Sequence, residues 1–295
     1  MMLVSGANGQ FAGAVIANLR TLLPAGTRFA VGTRTPESPA ARALAAEGID
    51  VRRLDFDDPP SLRAAFAGID KALITPTWAS NTVRLGQHRN AIEAAQAAGV
   101  RHLVYPSFID ATPQSMIEHN RLVHGPTELL LKGSGLTWTI LRHGLYAETV
   151  FDDFERTLAT GEFRRSACDR GIAFISRDDL GFSAACVLAR PGHENRTYTE
   201  TAPRPTSFAE VAALMSEIFR RPIVYRPLGD EEWVQHMHAA FGVPVEMARS
   251  SLGTMHALAA GVFDIATPDY AAIAGRPARS MREVIEARQR QLAGR

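Results

Sequence analysis

The chain has 295 residues, a formal net charge of +1, 46% hydrophobic and 21% charged residues, a length and balance that exclude wholesale disorder and fit one large domain or two interlocked ones. Near-neutral charge gives no electrostatic footprint for a nucleic acid or a membrane surface, and no apolar run approaches the roughly 18 residues of a spanning helix. With no leader pattern in MMLVSGANG, the expectation is a cytoplasmic protein with neither partner.

In chain order, residues 2–5 read as a short strand ending at Gly6, and Phe11, Val15, Ile16, Leu19, Leu22 and Leu23 repeat at helical spacing. Residues 28–33 form a second strand. Ser38-Pro39 supplies an N-cap and first-turn proline for a helix to Glu47, closed by Gly48. Residues 49–54, 71–75 and 101–105 are further strands, with helices over 60–66 and 82–98 between them. Another helix ends at Lys132-Gly133 before a strand over 136–141.

Such alternation predicts an α/β fold: a Rossmann-type, doubly wound parallel sheet with right-handed crossovers and helices on both faces. From about residue 145 the strands shrink to 172–176, 196–199 and 222–225, and the capping boxes Ser207-x-x-Glu210 and Ser280-x-x-Glu283 open helices. The predicted organisation is a dinucleotide-binding domain over 1–144, to which 172–176 and 196–199 return, and a smaller, mostly helical substrate lobe over 145–295.

Gly6-Ala7-Asn8-Gly9-Gln10-Phe11-Ala12-Gly13 directly follows the first strand and opens the first helix. Free backbone N–H groups and the positive end of the helix dipole converge there, which suits a pyrophosphate. Gly6 permits the tight turn and Gly9 the close approach of backbone to phosphate, while Ala12 stands where a third glycine is common. The second strand ends at Gly32-Thr33-Arg34 with no acid, so a carboxylate for a ribose 2′-hydroxyl is missing. A guanidinium pairs with a 2′-phosphate, and Arg34 therefore points to NADP(H) over NAD(H), the alternative being one more solvated arginine. Asp55, with Phe56 beside the ring, is the candidate for the adenine; Asp57 and Asp58 read equally well as helix caps. Thr75, Pro76 and Thr77 follow the fourth strand at the edge facing ribose and nicotinamide.

These residues resemble the NmrA-like, atypical short-chain dehydrogenases. Gly6-Ala7-Asn8-Gly9-Gln10 is similar to that family's fingerprint, and Arg34 sits where it often carries an NADP-selective arginine. The stretch from Gln87 to Val100, Tyr105-x-Ser107, His124-x-x-Thr127-Glu128, Thr139 to Tyr146, Asp178-Asp179-Leu180 and Gly275-Arg276-Pro277 extend the likeness over nearly the whole chain. The nearest branch contains NADPH-dependent quinone oxidoreductases and triphenylmethane-dye reductases. The resemblance implies hydride transfer to a conjugated electrophile in the cleft between lobes, with Ser107 and His143 added to the cofactor site. The family also includes dinucleotide sensors without turnover, which is the alternative reading.

The chain departs from ordinary short-chain dehydrogenases. None of its five tyrosines has a lysine four residues on, and Leu129 stands where the quinone-reductase branch often has lysine. Pro126 predicts a late helix start that leaves His124 on the entering loop. Without a strong acid, quinones, enones and iminium-like dyes fit better than ketones, because they delocalise the arriving charge. His124 and Tyr146 are the candidates to hydrogen-bond or protonate the acceptor. Trp78, Phe108, Ile109 and Tyr146 are expected in the substrate pocket, with Trp233, Met237, Phe241 and Met255 from the helical lobe. Trp233, His236, Met237 and Phe241 share a helical stripe, a pattern that core packing also produces. No HExxH or GxSxG occurs, and Cys168 and Cys186 form no ligand motif, so neither a metal nor a serine hydrolase is expected. A homodimer is compatible with the sequence.

Overall fold

The computed structural model describes residues 1–294. Its first half runs β1 (Met2–Ser5), α1 (Gln10–Leu22), β2 (Phe29–Thr33), α2 (Pro39–Ala46), β3 (Asp50–Arg53), α3 (Pro59–Phe66), β4 (Lys71–Leu73), α4 (Asn81–Ala97) and β5 (His102–Phe108). A π-helical turn (Asn120–His124) then leads into α5 (Gly125–Gly133), followed by β6 (Thr137–His143), a 3-10 turn (Ala147–Phe151), α6 (Phe154–Thr160), β7 (Glu162–Ser166), α7 (Arg177–Ala189) and β8 (Arg196–Glu200). The remainder is α8 (Phe208–Phe219), β9 (Val224–Leu228), α9 (Asp230–Phe241), α10 (Val245–Ser250), α11 (Leu252–Ala259), α12 (Asp269–Ala274) and α13 (Met281–Ala293).

Seven strands form one parallel sheet in the order β3-β2-β1-β4-β5-β6-β8, so the winding reverses between β1 and β4. Period-two alternation sends neighbouring residues to opposite helical layers. Leu3, Ala30, Leu103 and Ile140 pack with the α3 and α4 side chains Leu62, Phe66 and Ile92, while Val4, Val31, Val104 and Leu141 pack with Val15 and Leu19 of α1 and Ala184 and Val187 of α7. Both faces are covered, which is why these strands read as continuous apolar runs. Crossing of α1 and α7 is close: a Cβ on Gly181 would stand 2.9 Å from the carbonyl carbon of Ala14.

Several details differ from the sequence reading. β5 runs three residues beyond 105, through Pro106, which pairs with Leu141 in register. Residues 172–176 make only isolated bridges, Tyr146 with Ile175 and Ile172 with Thr206, and do not return to the main sheet; 196–199 does, as β8 beside β6. β7, unforeseen in the sequence, pairs in parallel with β9 as a separate two-stranded sheet. Helices α8 and α13, opened by the two predicted capping boxes, pack their apolar faces into a third core with Phe163, Phe174 and Phe263.

Asp179, fully buried at the start of α7, ties the C-terminal segment to this frame. Tyr270 Oη and Arg276 donate to its Oδ1 at 3.0 and 3.1 Å, and Ser176 and the Arg279 amide donate to Oδ2 at 2.7 and 3.0 Å. Two sequence blocks a hundred residues apart thus meet in one hydrogen-bonded knot. Both cysteines are free and buried. No described helix is long and apolar enough to cross a membrane.

Candidate active site

The glycine turn sits where the winding reverses, the position at which open α/β sheets bind ligands. Gly6 adopts φ +73°, and a Cβ there would run into the Thr75 hydroxyl, so both turn conformation and strand contact require glycine. Ser5 Oγ accepts from the Thr75 amide at 2.8 Å and locks β1 to the loop after β4. Gly9 is the N-cap of α1 and offers no side-chain cap, and the first turn of α1 carries no acid. The amides opening α1 are therefore left to accept an anion. Ala12, in the third glycine position, is buried against the sheet.

Asn8, exposed in the glycine turn, is held by its neighbours. Its Nδ2 donates to the hydroxyls of Thr33 and Thr35 at 3.2 and 3.1 Å, and Ser38 Oγ donates to its Oδ1 at 3.4 Å. It braces the glycine turn against the loop that carries Arg34. Arg34 itself is exposed and has no ion-pair or hydrogen-bond partner among the described residues.

Around the adenine side, the structure corrects two assignments. Phe56 is buried in the core with Leu54, Leu62 and Ile92, so its ring does not lie open beside a base. Asp58 caps α3 through Ser61, but Asp57 does not cap: its Oδ2 accepts from Gln87 Nε2 at 2.7 Å, and the other end of that amide meets the Thr77 hydroxyl. Asp55 Oδ1 accepts from the Asp57 amide at 3.1 Å, and its half-buried carboxylate borders the site.

The buried hydrophilic residues form three separate networks. In the first, Ser107 donates to Glu128 at 2.7 Å, and Arg142 grips the same carboxylate in two-pronged fashion at 2.8 and 2.6 Å. Ser107 is thus bound to Glu128 and does not present its hydroxyl to a cofactor. His124 lies on the π-helical turn and not on a loop, because the turn continues directly into α5; Pro126 has no N–H for the Leu122 carbonyl, and the helix widens there. Its Nδ1 is 2.8 Å from Tyr105 Oη and its Nε2 is 3.4 Å from Arg84. A guanidinium only donates, so Nε2 accepts and the ring proton is on Nδ1, donated to Tyr105. Burial first, then Arg84, holds His124 well below the ordinary histidine range. Both nitrogens are engaged, and the imidazole has no donor left for a substrate.

The third network, after the Ser107 and His124 sets, lies at the ends of β6 and β8. His143 and Glu200 are register partners on these strands and are fully buried. His143 Nδ1 is 3.2 Å from Tyr146 Oη, and Nε2 faces Glu200 Oε2 at 3.5 Å. Phe11, from the first turn of α1, covers the imidazole edge-on at 5.1 Å. His143 therefore lies below the crevice and does not line it. Half-buried Tyr146 stands at the rim, with the Arg177 guanidinium 5.0 Å above its ring, and burial pushes its phenol up to about 12. Glu200 gave no signal in the sequence beyond a strand end.

The apolar lining also divides. Phe108 packs against His119, His124 and Phe263 at 5.6, 6.4 and 5.7 Å, and Ile109 and Met255 join the same core. Trp78 does not line anything: it is 96% exposed in the turn before α4. Trp233 is buried and donates to Ser251, packing α9 on α10; Phe241 meets His236, and neither these nor half-buried Met237 enters the Phe108 core. That stripe serves packing within the helical lobe. Leu129 is exposed on α5.

A doubly wound sheet with an open glycine turn at its switch point and an unpaired arginine just after the second strand defines a nucleotide-binding protein. The chain matches the NAD(P)H-binding family model over residues 6–191 and belongs to that family, within its NmrA-like oxidoreductases. It is 32% identical to quinone oxidoreductase 2 of Escherichia coli over 84% of each chain and 30% identical to an NAD(P)H azoreductase of Xenophilus azovorans over 97% of each. The solved structure of the former, complexed with NADPH, superposes with a TM-score of 0.90 at 29% identity, covering 98% of this chain and 100% of that one. The Citrobacter sp. triphenylmethane reductase complexed with NADP(H) gives 0.88 at 29% identity, covering 97% and 99%.

Proposed function

We propose that the chain is an NADPH-dependent reductase that delivers hydride to a conjugated electrophile: a quinone, an extended enone, an azo compound or an iminium-like dye. The observation that carries this reading is the pairing of an anion-ready glycine turn with a crevice that offers one phenol, Tyr146, and no lysine-activated acid. Such a site suits acceptors that stabilise the arriving charge themselves. The names of the relatives, a quinone oxidoreductase, an azoreductase and a dye reductase, support the same class.

When bound, NADPH supplies the hydride. The α1 amides of Gln10 and Phe11 would hold its pyrophosphate, Arg34 its 2′-phosphate, Asp55 the adenine amino group, and the backbone of Thr75 to Thr77 the ribose. Phe108 and Ile109 form the apolar wall against which a flat acceptor rests, and Tyr146 donates a hydrogen bond to its oxygen. An assay of NADPH oxidation across quinones, azo dyes and triphenylmethane dyes tests the reading. Turnover with at least one class is expected. Tight NADPH binding with no oxidation by any acceptor overturns it and leaves a dinucleotide sensor.

A further inference from the structure

The pair His143–Glu200 is an unusual thing to bury. Both residues are fully enclosed, and His143 Nε2 and both carboxyl oxygens have no hydrogen-bond partner among the described residues, although they face one another at 3.5 Å. An ionised carboxylate in such a place would lack a cation, with only the neighbouring Ser183 hydroxyl to soften the cost of desolvation. Around Glu200 stand Ser183 and Cys186 of α7, Asp269 and Tyr270 of α12, and His143; only Asp269 among them is formally charged, and it repels. Around Tyr146 are Arg177 and Glu148, the latter turned to the Arg177 amide at 2.9 Å.

We propose that Glu200, His143 and Tyr146 form a proton relay in which a neutral carboxylic acid at the base of the sheet refills the phenol at the rim. When the 3.5 Å gap closes to hydrogen-bond distance, a neutral acid donates its O–H to His143 Nε2. The imidazole then carries its own proton on Nδ1 and donates it to the Tyr146 oxygen, which leaves the phenol hydrogen free to point at an acceptor. The direction of burial agrees: it pushes the Glu200 carboxyl up to about 8 and holds His143 down to about 3, so the two remain a neutral pair near neutral pH. The proposal rests on the reductase reading and gives the missing Tyr-x-x-x-Lys acid a substitute built across two strands.

The balance is as follows. A quinone that has accepted a hydride is a hydroquinone monoanion. Its oxygen takes the phenol proton of Tyr146, Tyr146 takes the Nδ1 proton of His143, and His143 takes the Glu200 proton at Nε2. Glu200 is left as a carboxylate and His143 with its proton on Nε2; after the product leaves, water protonates Tyr146 at the rim, the phenol proton returns to His143 Nδ1, and Nε2 returns its proton to the enclosed Glu200. A triphenylmethane cation that accepts a hydride is already a neutral leuco compound and needs no proton, so the two acceptors separate proton delivery from hydride delivery.

Glu200→Gln keeps the side-chain volume and a donor to Nε2 but has no proton to release. With the full-length protein, the ratio of quinone to dye turnover is expected to fall about ten- to a hundredfold in this variant, within the range of general acid catalysis. Tyr146→Phe is expected to lower the same ratio. A second arm needs no turnover: the infrared spectrum of the folded protein is expected to show a protonated-carboxyl band that fades as pH rises through about 8 and is missing in Glu200→Gln. An equal slowing of both acceptors, or no such band, overturns the relay. If wild-type protein reduces neither acceptor, the reductase reading fails and the relay with it, while the infrared band still shows whether Glu200 is the acid described.

Discussion

At the scale of single residues, charge and hydrogen-bond direction decide more than position in a motif. Arg34 has no internal partner, and a 2′-phosphate would supply one. Arg34→Ala is therefore expected to weaken NADPH binding by roughly 1.5–3 kcal/mol, on the order of a ten- to hundredfold loss, and to change NADH binding little. Calorimetric titration with both cofactors checks this, and an equal loss for the two refutes a 2′-phosphate contact. The glycines and Arg34 were legible because their chemistry is local: a turn, a helix start and a missing acid. His124 and Ser107 were assigned from their blocks alone, yet their roles depend on Arg84 and Glu128, which the chain brings alongside only on folding. Glu200 was invisible for the same reason, since its meaning comes from His143 across the strand register.

At the scale of elements, the parallel sheet was readable because covered strands are continuous apolar runs bounded by helix caps. β7 was not: in Glu-Phe-Arg-Arg-Ser only Phe163 is apolar, and the strand exists because Phe163 reaches a core assembled by α8 and α13. The π-helical turn was equally hidden, because the missing donor of Pro126 can start a helix or widen one. The α1–α7 crossing gives a sharp test of the packing. Gly181 abuts Ala14 backbone, which cannot rotate away as a flexible side chain would. Gly181→Val is expected to lower stability by about 1–3 kcal/mol through overpacking and to loosen the glycine turn that α1 carries. Urea denaturation reads the first effect and NADPH affinity the second; an unchanged midpoint would mean that the two helices can separate without penalty.

At the scale of the whole molecule, the sheet gathers buried titratable groups whose effects on stability oppose one another. His88, His102 and His143 are held neutral by burial, at about 3, 4 and 3, and His124 lies well below its ordinary value. Between those values and the ordinary 6.5, the unfolded chain binds protons that the folded chain refuses, so stability falls as pH falls. At pH 5 His88, His102 and His143 each cost up to about 2 kcal/mol relative to neutrality, and His124 acts in the same direction. Glu200 acts in the opposite sense. Its raised value of about 8 means that the folded chain holds a proton the unfolded chain has released, and stability rises as pH drops from 8 towards 4.5. It offsets about 3 kcal/mol of the histidine loss between pH 7 and pH 5, and the histidines outweigh it, so the net change is a fall. Thermal melts in a single buffer series from pH 8 to pH 5 are therefore expected to show Tm dropping steeply below about pH 6.5. In Glu200→Gln the drop starts earlier and is steeper, because the offsetting group is gone. A Tm that stays level from pH 7 to pH 5 would mean that the imidazoles are protonated where they stand, and with them the neutral His143 on which the relay depends.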